Sequence, residues 1–576
     1  MPHEQYSRGM SLIEVVMGVA IMLIVFAALF GALVGIDTLG RRNELRTSAL
    51  YLANEHIETI RALPYDSIGT IDGLPYGTIP QLETITHDGH TFVRRTFIQY
   101  VDDAADGVGA GDATIPADYK RVKVELSYQI DNATSSFSLV TSMAPKSQES
   151  LEGAGILRIN VTDANNDPLG NATIDVENFS IATSVDITTF TNASGTVSFP
   201  GAWAGAGYNV LVTKGGYSSE RTYVASTSNP NPSPSALTVA ENSTTEIYFK
   251  IDKLSTIDLY TRALPVRGEL YDEFTNATML ASTSRTVVLG GTLSLTGAPG
   301  SYPSTGTGTS ITVAPASLGS WLMFRADASS STDTNIRYRI LHDAGGGVFT
   351  PIPNTDLAGN EAGLTRTPID LRHLDVSTYP ALRVEAILES TNPANTPTIS
   401  SWTLSHLEPE VPRSGVTINM TGAKTIGDDG GTPVYKYDTT HTTDGAGTLS
   451  LPNMEFDTYT LEIPGFSVAE ACPALPLVLD PDTSHAQTLT LVAPSTHTLA
   501  LQVLHPTATP IPGAEIVLER AGVETVAATG PCGVGYFSGL TNDTYTATIF
   551  APDLASTTVD ISVDGATLHA ETLSYW

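Results

Sequence analysis

Arg8-Gly9-Met10-Ser11-Leu12-Ile13-Glu14 leads into residues 15–36, Val-Val-Met-Gly-Val-Ala-Ile-Met-Leu-Ile-Val-Phe-Ala-Ala-Leu-Phe-Gly-Ala-Leu-Val-Gly-Ile, which are 22 residues without a charge. A helix of ~20 apolar residues spans the hydrocarbon core of a bilayer, so this run predicts a membrane helix. A secretory signal has a shorter apolar core with a small-residue cleavage site after it. Here the only candidate processing point comes before the apolar run, at Gly9. Glu14 sits at the edge of the run, and a carboxylate at the centre of a span costs roughly 2.5–3.5 kcal/mol. It needs a partner or a role. Beyond the span, Leu45, Ala49, Leu52, Ala53, Ile57 and Ile60 recur at three- and four-residue steps, the stripe of a helix with one buried face. Pro64 ends that helix.

Gly9 followed by Met10, with Glu14 as the fifth residue after the glycine, resembles the class III signal of type IV pilins and pseudopilins. Met10 stands where that family usually has Phe. The resemblance implies a leader of residues 1–9 and cleavage by a prepilin peptidase between Gly9 and Met10. It further implies N-methylation of Met10, and a Glu14 that pairs with the N-terminal amine of a neighbouring subunit during assembly. Opposite charges in a low-dielectric bundle offset each other's desolvation. Arg41, Arg42 and Arg46 follow the span, against the positive-inside trend, so orientation rests on the resemblance. Tyr51–Arg61 followed by Leu63-Pro64-Tyr65-Asp66 is similar to minor pilins and pseudopilins as well.

The chain has 576 residues, with 29 basic against 61 acidic side chains and a net charge of −32. This excess argues against nucleic acid as a partner and for a self-repelling, soluble exterior. Abundant Thr, Ser, Gly, Ala, Val and Pro suit β-sandwiches joined by turns. The predicted fold class is mainly β: a long N-terminal helix with a small antiparallel sheet over residues 10–145, then a string of sandwiches.

Residues 92–101, 121–128 and 136–143 read as the strands of the first sheet. The middle one alternates strictly. Between the first two lie Asp102, Asp103, Asp106, Asp112 and Asp118. These could gather a calcium ion through oxygen ligands or form a solvated acidic loop; no other cofactor is expected. His87-Asp88-Gly89-His90 could hold a metal, but reads more simply as a hairpin tip.

After a polar linker, residues 154–254, 411–493 and 494–576 share one plan. Asp167-Pro168-Leu169-Gly170-Asn171-Ala172 and Thr509-Pro510-Ile511-Pro512-Gly513-Ala514 are matching turns. Asn192-Ala193-Ser194-Gly195 and Asp444-Gly445-Ala446-Gly447 precede further strands, and Tyr208, Tyr459 and Tyr545 lead the next ones. The pattern resembles carboxypeptidase-regulatory-like domains, which implies a transthyretin-type sandwich for each. The middle copy lacks the Pro-Gly-Ala turn. Residues 255–410 depart from the plan and read as a larger jelly-roll-like sandwich, with Trp321 and Trp402 either core residues or sugar-stacking platforms. Cys472 and Cys532, the two cysteines of the chain, could pair outside the cytoplasm or remain two buried thiols.

No His-Glu-x-x-His, Gly-x-Ser-x-Gly or metal-spaced cysteine cluster occurs in the chain, and the expectation is a protein that is not an enzyme. The expected role is a minor type IV pilin at a tip or sparse position. It would pass through the inner membrane, assemble with other pilin subunits and display its sandwiches on the cell surface toward an unknown ligand, for example a carbohydrate. The alternative is a minor pseudopilin binding secreted cargo. An envelope hydrolase would require a carboxylate pair facing a cleft.

Overall fold

The computed structural model describes residues 12–101, 119–130, 133–145 and 153–576. They form two compact units, one running to Lys253 and including Thr425–Val434, the other comprising Leu254–Lys424 and Tyr435–Trp576.

The first unit begins with a single helix, Leu12–Arg61, of 50 residues. Its later half lies on a four-stranded antiparallel sheet in sequential order, Leu82–His87, His90–Val101, Tyr119–Ile130 and Ala133–Met143. The helical stripe from Leu45 to Ile60 is buried against Phe92, Ile98, Val122, Val124 and Leu126. Alternation along Tyr119–Ile130 sends those valines inward and Arg121, Lys123 and Glu125 outward. The strand Leu82–His87, a six-residue edge piece, pairs with His90–Val101 through the tight turn at Asp88-Gly89, the hairpin tip read from the sequence.

The sandwich that follows puts Thr244–Lys250, Ala154–Thr162 and Thr196–Trp203 in one sheet, and Gly205–Thr213, Thr173–Asn178 and Val185–Phe190 in the other. It is joined to the helix-bearing domain by the Asp186 N–H donating to the Asp72 carbonyl (2.6 Å) and by a Ser184–Asp72 hydrogen bond. Leu74 enters its core.

In the second unit the middle and last sandwiches repeat this topology. In all three, the first strand pairs in parallel with the last: Ala154–Thr162 with Thr244–Lys250, Ser255–Ala263 with Ser484–Val492, and Thr498–Leu504 with Ala566–Thr572. The other neighbour of each first strand is antiparallel: Thr196–Trp203, Thr448–Met454 and Val534–Ser538 respectively. Ser255–Ala263 therefore belongs with residues 416–492 and not, as its place in the sequence suggests, with the larger sandwich that follows it. The larger sandwich spans Arg267–Asp272 to Thr398–Leu407. It is inserted between the first strand of the middle copy and the second, Thr417–Gly422.

Three details repeat at equivalent places. The amides of Val161, Thr261 and Val503 donate to the carbonyls of Gly195, Gly447 and Gly533, each at 2.8 Å. Those glycines have φ of +69°, +67° and +76°, where a side chain is disfavoured. An added Cβ would also stand 2.4 Å from the Val161 carbonyl oxygen, 2.7 Å from that of Thr261 or 2.9 Å from that of Val503. A buried threonine hydroxyl accepts the amide that opens each hairpin, Ala172 to Thr191, Val416 to Thr443 and Ala514 to Thr529. Tyr208 and Tyr459 are buried and donate back to the carbonyls of Trp203 and Glu455 at 2.7 Å, while the Tyr545 hydroxyl accepts the Thr541 amide at 2.9 Å.

Candidate functional site

The two halves of the N-terminal helix differ in what surrounds them. From Met17 to Leu39 the large apolar side chains that are described lie in the open: Leu23, Phe30 and Ile36 are each about two-thirds exposed (66%, 67% and 68%). A Cβ added at Gly31 or Gly35 would meet nothing within 4 Å, so these positions leave the helix surface shallow and open to close approach. This is the one helix among the described residues long and apolar enough to cross a membrane. From Leu45 onward one face is covered by the sheet.

Polar contacts fix that second half. His56 is buried, its Nε2 3.0 Å from the Thr96 hydroxyl. Burial, with the Arg94 guanidinium adding to it, pulls its pKa down to about 4, so it is a neutral hydrogen-bonding core group near pH 7. Lys120 is buried in the sheet, and its Nζ donates to the carbonyls of Tyr65 and Ile68 at 3.0 Å each. The same ammonium sits 4.5 Å from the Tyr65 ring centre. It clamps the turn that follows the helix onto the sheet.

Gly9 and Met10 lie outside the described residues, and so do Asp102, Asp103, Asp106, Asp112 and Asp118. Glu14 falls on the helix. Cys472 and Cys532 are joined by a disulfide, with Cα atoms 5.5 Å apart, linking the middle and last sandwiches. Trp321 and Trp402 are 0% and 1% exposed in the core of the larger sandwich. The Trp321 indole N–H donates to the Tyr379 carbonyl at 2.8 Å. Neither is a stacking platform, because both sit on the inward face of their strands. His87 and His90 are partners across the hairpin turn, with the His87 ring stacked on Tyr51. Among the described residues no group of three or more His, Cys, Asp or Glu could hold a metal ion.

No family model and no curated protein matches the chain. Solved structures do. The Bacillus anthracis TIE protein is similar at 10% identity over 86% of this chain and 74% of its own, with a TM-score of 0.15. The major pilin subunit of Bacillus cereus is similar at 11% identity over 73% of this chain and 99% of its own, TM-score 0.13. A minor pilin of Streptococcus agalactiae follows at 12% identity, over 30% of this chain and 87% of its own, TM-score 0.13.

Sequence reasoning missed a second group of side chains, on the larger and last sandwiches: Tyr271, Arg325, Asp327, Glu519, Glu524 and Trp576 line a cleft of about 560 Å³. Part of it was legible. Ala521-Gly522 is a tight turn between two alternating runs, which places Glu519 opposite Glu524. The opposing wall, more than a hundred residues distant in the chain, had no local signal.

Proposed function

We propose that this chain is a surface-filament subunit of the type IV pilin class. In this reading it is cut between Gly9 and Met10, methylated at Met10 and assembled through its N-terminal helix, so that the sandwiches are displayed outside the cell. The observation that carries the proposal is the division of the Leu12–Arg61 helix. An exposed apolar half passes directly into a half buried on a four-stranded sheet, so an anchoring or packing segment is rigidly continuous with a globular head. The class III signal at Gly9, Met10 and Glu14 supplies the type IV assignment. The shared topology of three sandwiches supports carboxypeptidase-regulatory-like modules used as display spacers, with no reaction assigned to them. Their bulk suits a tip or sparse position better than every position of a shaft.

Mass spectrometry of filaments sheared from intact cells tests this. The expected result is an N-terminal peptide beginning at methylated Met10 in the sheared fraction. A processed chain confined to the envelope replaces the pilus reading with the pseudopilus one, and an intact Met1 overturns both.

A further inference from the structure

Two sheet faces in the second unit diverge to form the 560 Å³ cleft, a volume in the range of ligand sites, roughly 300–1,000 Å³. One wall is the outer face of the last sandwich. Glu515, Val517 and Glu519 alternate onto that face, with Phe550 opposite Glu515, Thr548 opposite Val517 and Glu524 opposite Glu519. The other is the outer face of the larger sandwich, bearing Tyr271, Arg325, Asp327 and Ser401 on neighbouring strands. The closed end is held by charge. Glu515 is fully buried between Arg267, at 2.7 Å, and Arg325, at 3.4 Å. Arg372 adds a hydrogen bond to the Pro512 carbonyl. A buried ion cluster of this kind contributes little net stability but fixes how two surfaces meet. The cleft is thus shaped before any ligand arrives.

Its open end combines exposed rings with carboxylates. Tyr271 is 43% exposed and Trp576 66%. Glu519 and Glu524 face each other directly across the hairpin, an arrangement of like charges that destabilises a strand pair. Burial, then Glu273 and Glu524, push the Tyr271 phenol up to about 12, so Glu524 and this ring share one space.

We infer that this cleft binds a short oligosaccharide, neutral or amine-bearing. Rings with carboxylates beside them match a ligand that offers apolar C–H faces and many hydroxyls. Three carboxylates against one arginine already matched by Glu515 disfavour acidic sugars and phosphates. The inference rests on the surface-display reading for the setting in which a glycan would be met.

The test is a glycan array probed with the full chain in detergent, followed by calorimetric titration of the best neutral and amine-bearing trisaccharides. Binding should appear, and Trp576→Ala and Tyr271→Ala should each weaken it by roughly tenfold, the equivalent of about 1.4 kcal/mol. Glu519→Gln combined with Glu524→Gln should abolish any preference for the amine while keeping neutral sugars bound. No bound glycan, affinity indifferent to all these variants, or a preference for acidic glycans overturns the inference. A chain displayed on cells that binds no glycan sinks this inference alone, whereas one that binds glycans but never reaches the surface sinks the display reading alone.

Discussion

The turn at Asn192 and the turn at Gly530 have the same backbone need and meet it from opposite directions. Asn192 Oδ1 accepts the amides of Ser194 and Thr196, at 2.9 and 3.0 Å. In the middle sandwich Asp444 does the same for Ala446 and Thr448, at 2.9 and 2.8 Å. The last sandwich has Gly530 at this place and therefore no side chain to offer. Its two amides, Cys532 and Val534, are instead taken by Glu470 Oε1, at 2.9 and 3.2 Å, from a strand of the preceding sandwich. A Cβ on Gly530 would lie 1.8 Å from the Glu470 carboxylate. The glycine is what admits the neighbour's side chain, and the disulfide lies two residues further along each segment, between Cys472 and Cys532. Two copies complete themselves; the third is completed by its neighbour.

The largest effect should come from the covalent part of this arrangement. Cys472→Ser with Cys532→Ser removes a link closing 60 residues, and the chain-entropy model puts such a link at about 4 kcal/mol. Amide exchange in Asp543–Phe550 should quicken with the double variant or after reduction, while exchange in Gly205–Thr213 stays unchanged. Equal change in both would mean that the last sandwich does not depend on its neighbour.

Next is the carboxylate. Glu470→Ala leaves two part-buried donors without an acceptor and should destabilise the last sandwich by ~2 kcal/mol, against ~1 kcal/mol for Asn192→Ala in the first. Adding Gly530→Asn to Glu470→Ala should restore part of the loss, since a local acceptor then occupies the vacated space. Without such rescue, in thermal denaturation or exchange, the equivalence of the two turns fails.

The smallest effect is one of sign. Bonds from Thr448 hold Asp444 below its usual carboxyl pKa. It therefore contributes stability above the unfolded value, and this is lost as pH falls. Burial, outweighing the amides of Val534 and Cys532, holds Glu470 above its usual value. Its contribution is full below the unfolded pKa and is lost as pH rises through the folded one. Protection of the Thr448 amide should therefore rise with pH only up to about 4 and then level off, whereas that of Cys532 should fall as the pH climbs above about 4.5. Glu470→Gln, which keeps an oxygen acceptor, should flatten the second trend.

Some of this was written locally and some was not. The helical stripe from Leu45 to Ile60 is periodic within one element, so the sequence alone places it against a sheet. The glycines at 195 and 447 and the tyrosines at 208, 459 and 545 mark repeats because turn and corner geometry demands particular residue types. The strand Ser255–Ala263 was misplaced because its parallel partner begins at Ser484, and parallel pairing leaves no hairpin to announce it. Trp321 and Trp402 allowed two readings because an aromatic in an alternating strand faces either the core or solvent, and only register decides which. Glu470 was illegible: nothing within its own strand says that it completes another domain. The cleft escaped for the same reason, since its walls come from two sandwiches.

The parallel pairing of first and last strands, present three times, has a mechanical meaning. In each sandwich the chain enters at the start of one strand and leaves from the far end of its parallel neighbour. Tension along the chain therefore drags the two strands past each other lengthwise, so the rungs between them must yield together and not one after another. The larger sandwich is suspended from residues 264–266 and 408–416, off the line joining Ser255–Ala263 to Ser484–Val492. A tug on the chain therefore reaches its wall of the cleft through side-chain contacts with the last sandwich, Arg267 and Arg325 on Glu515, and not along the backbone while the host sandwich holds.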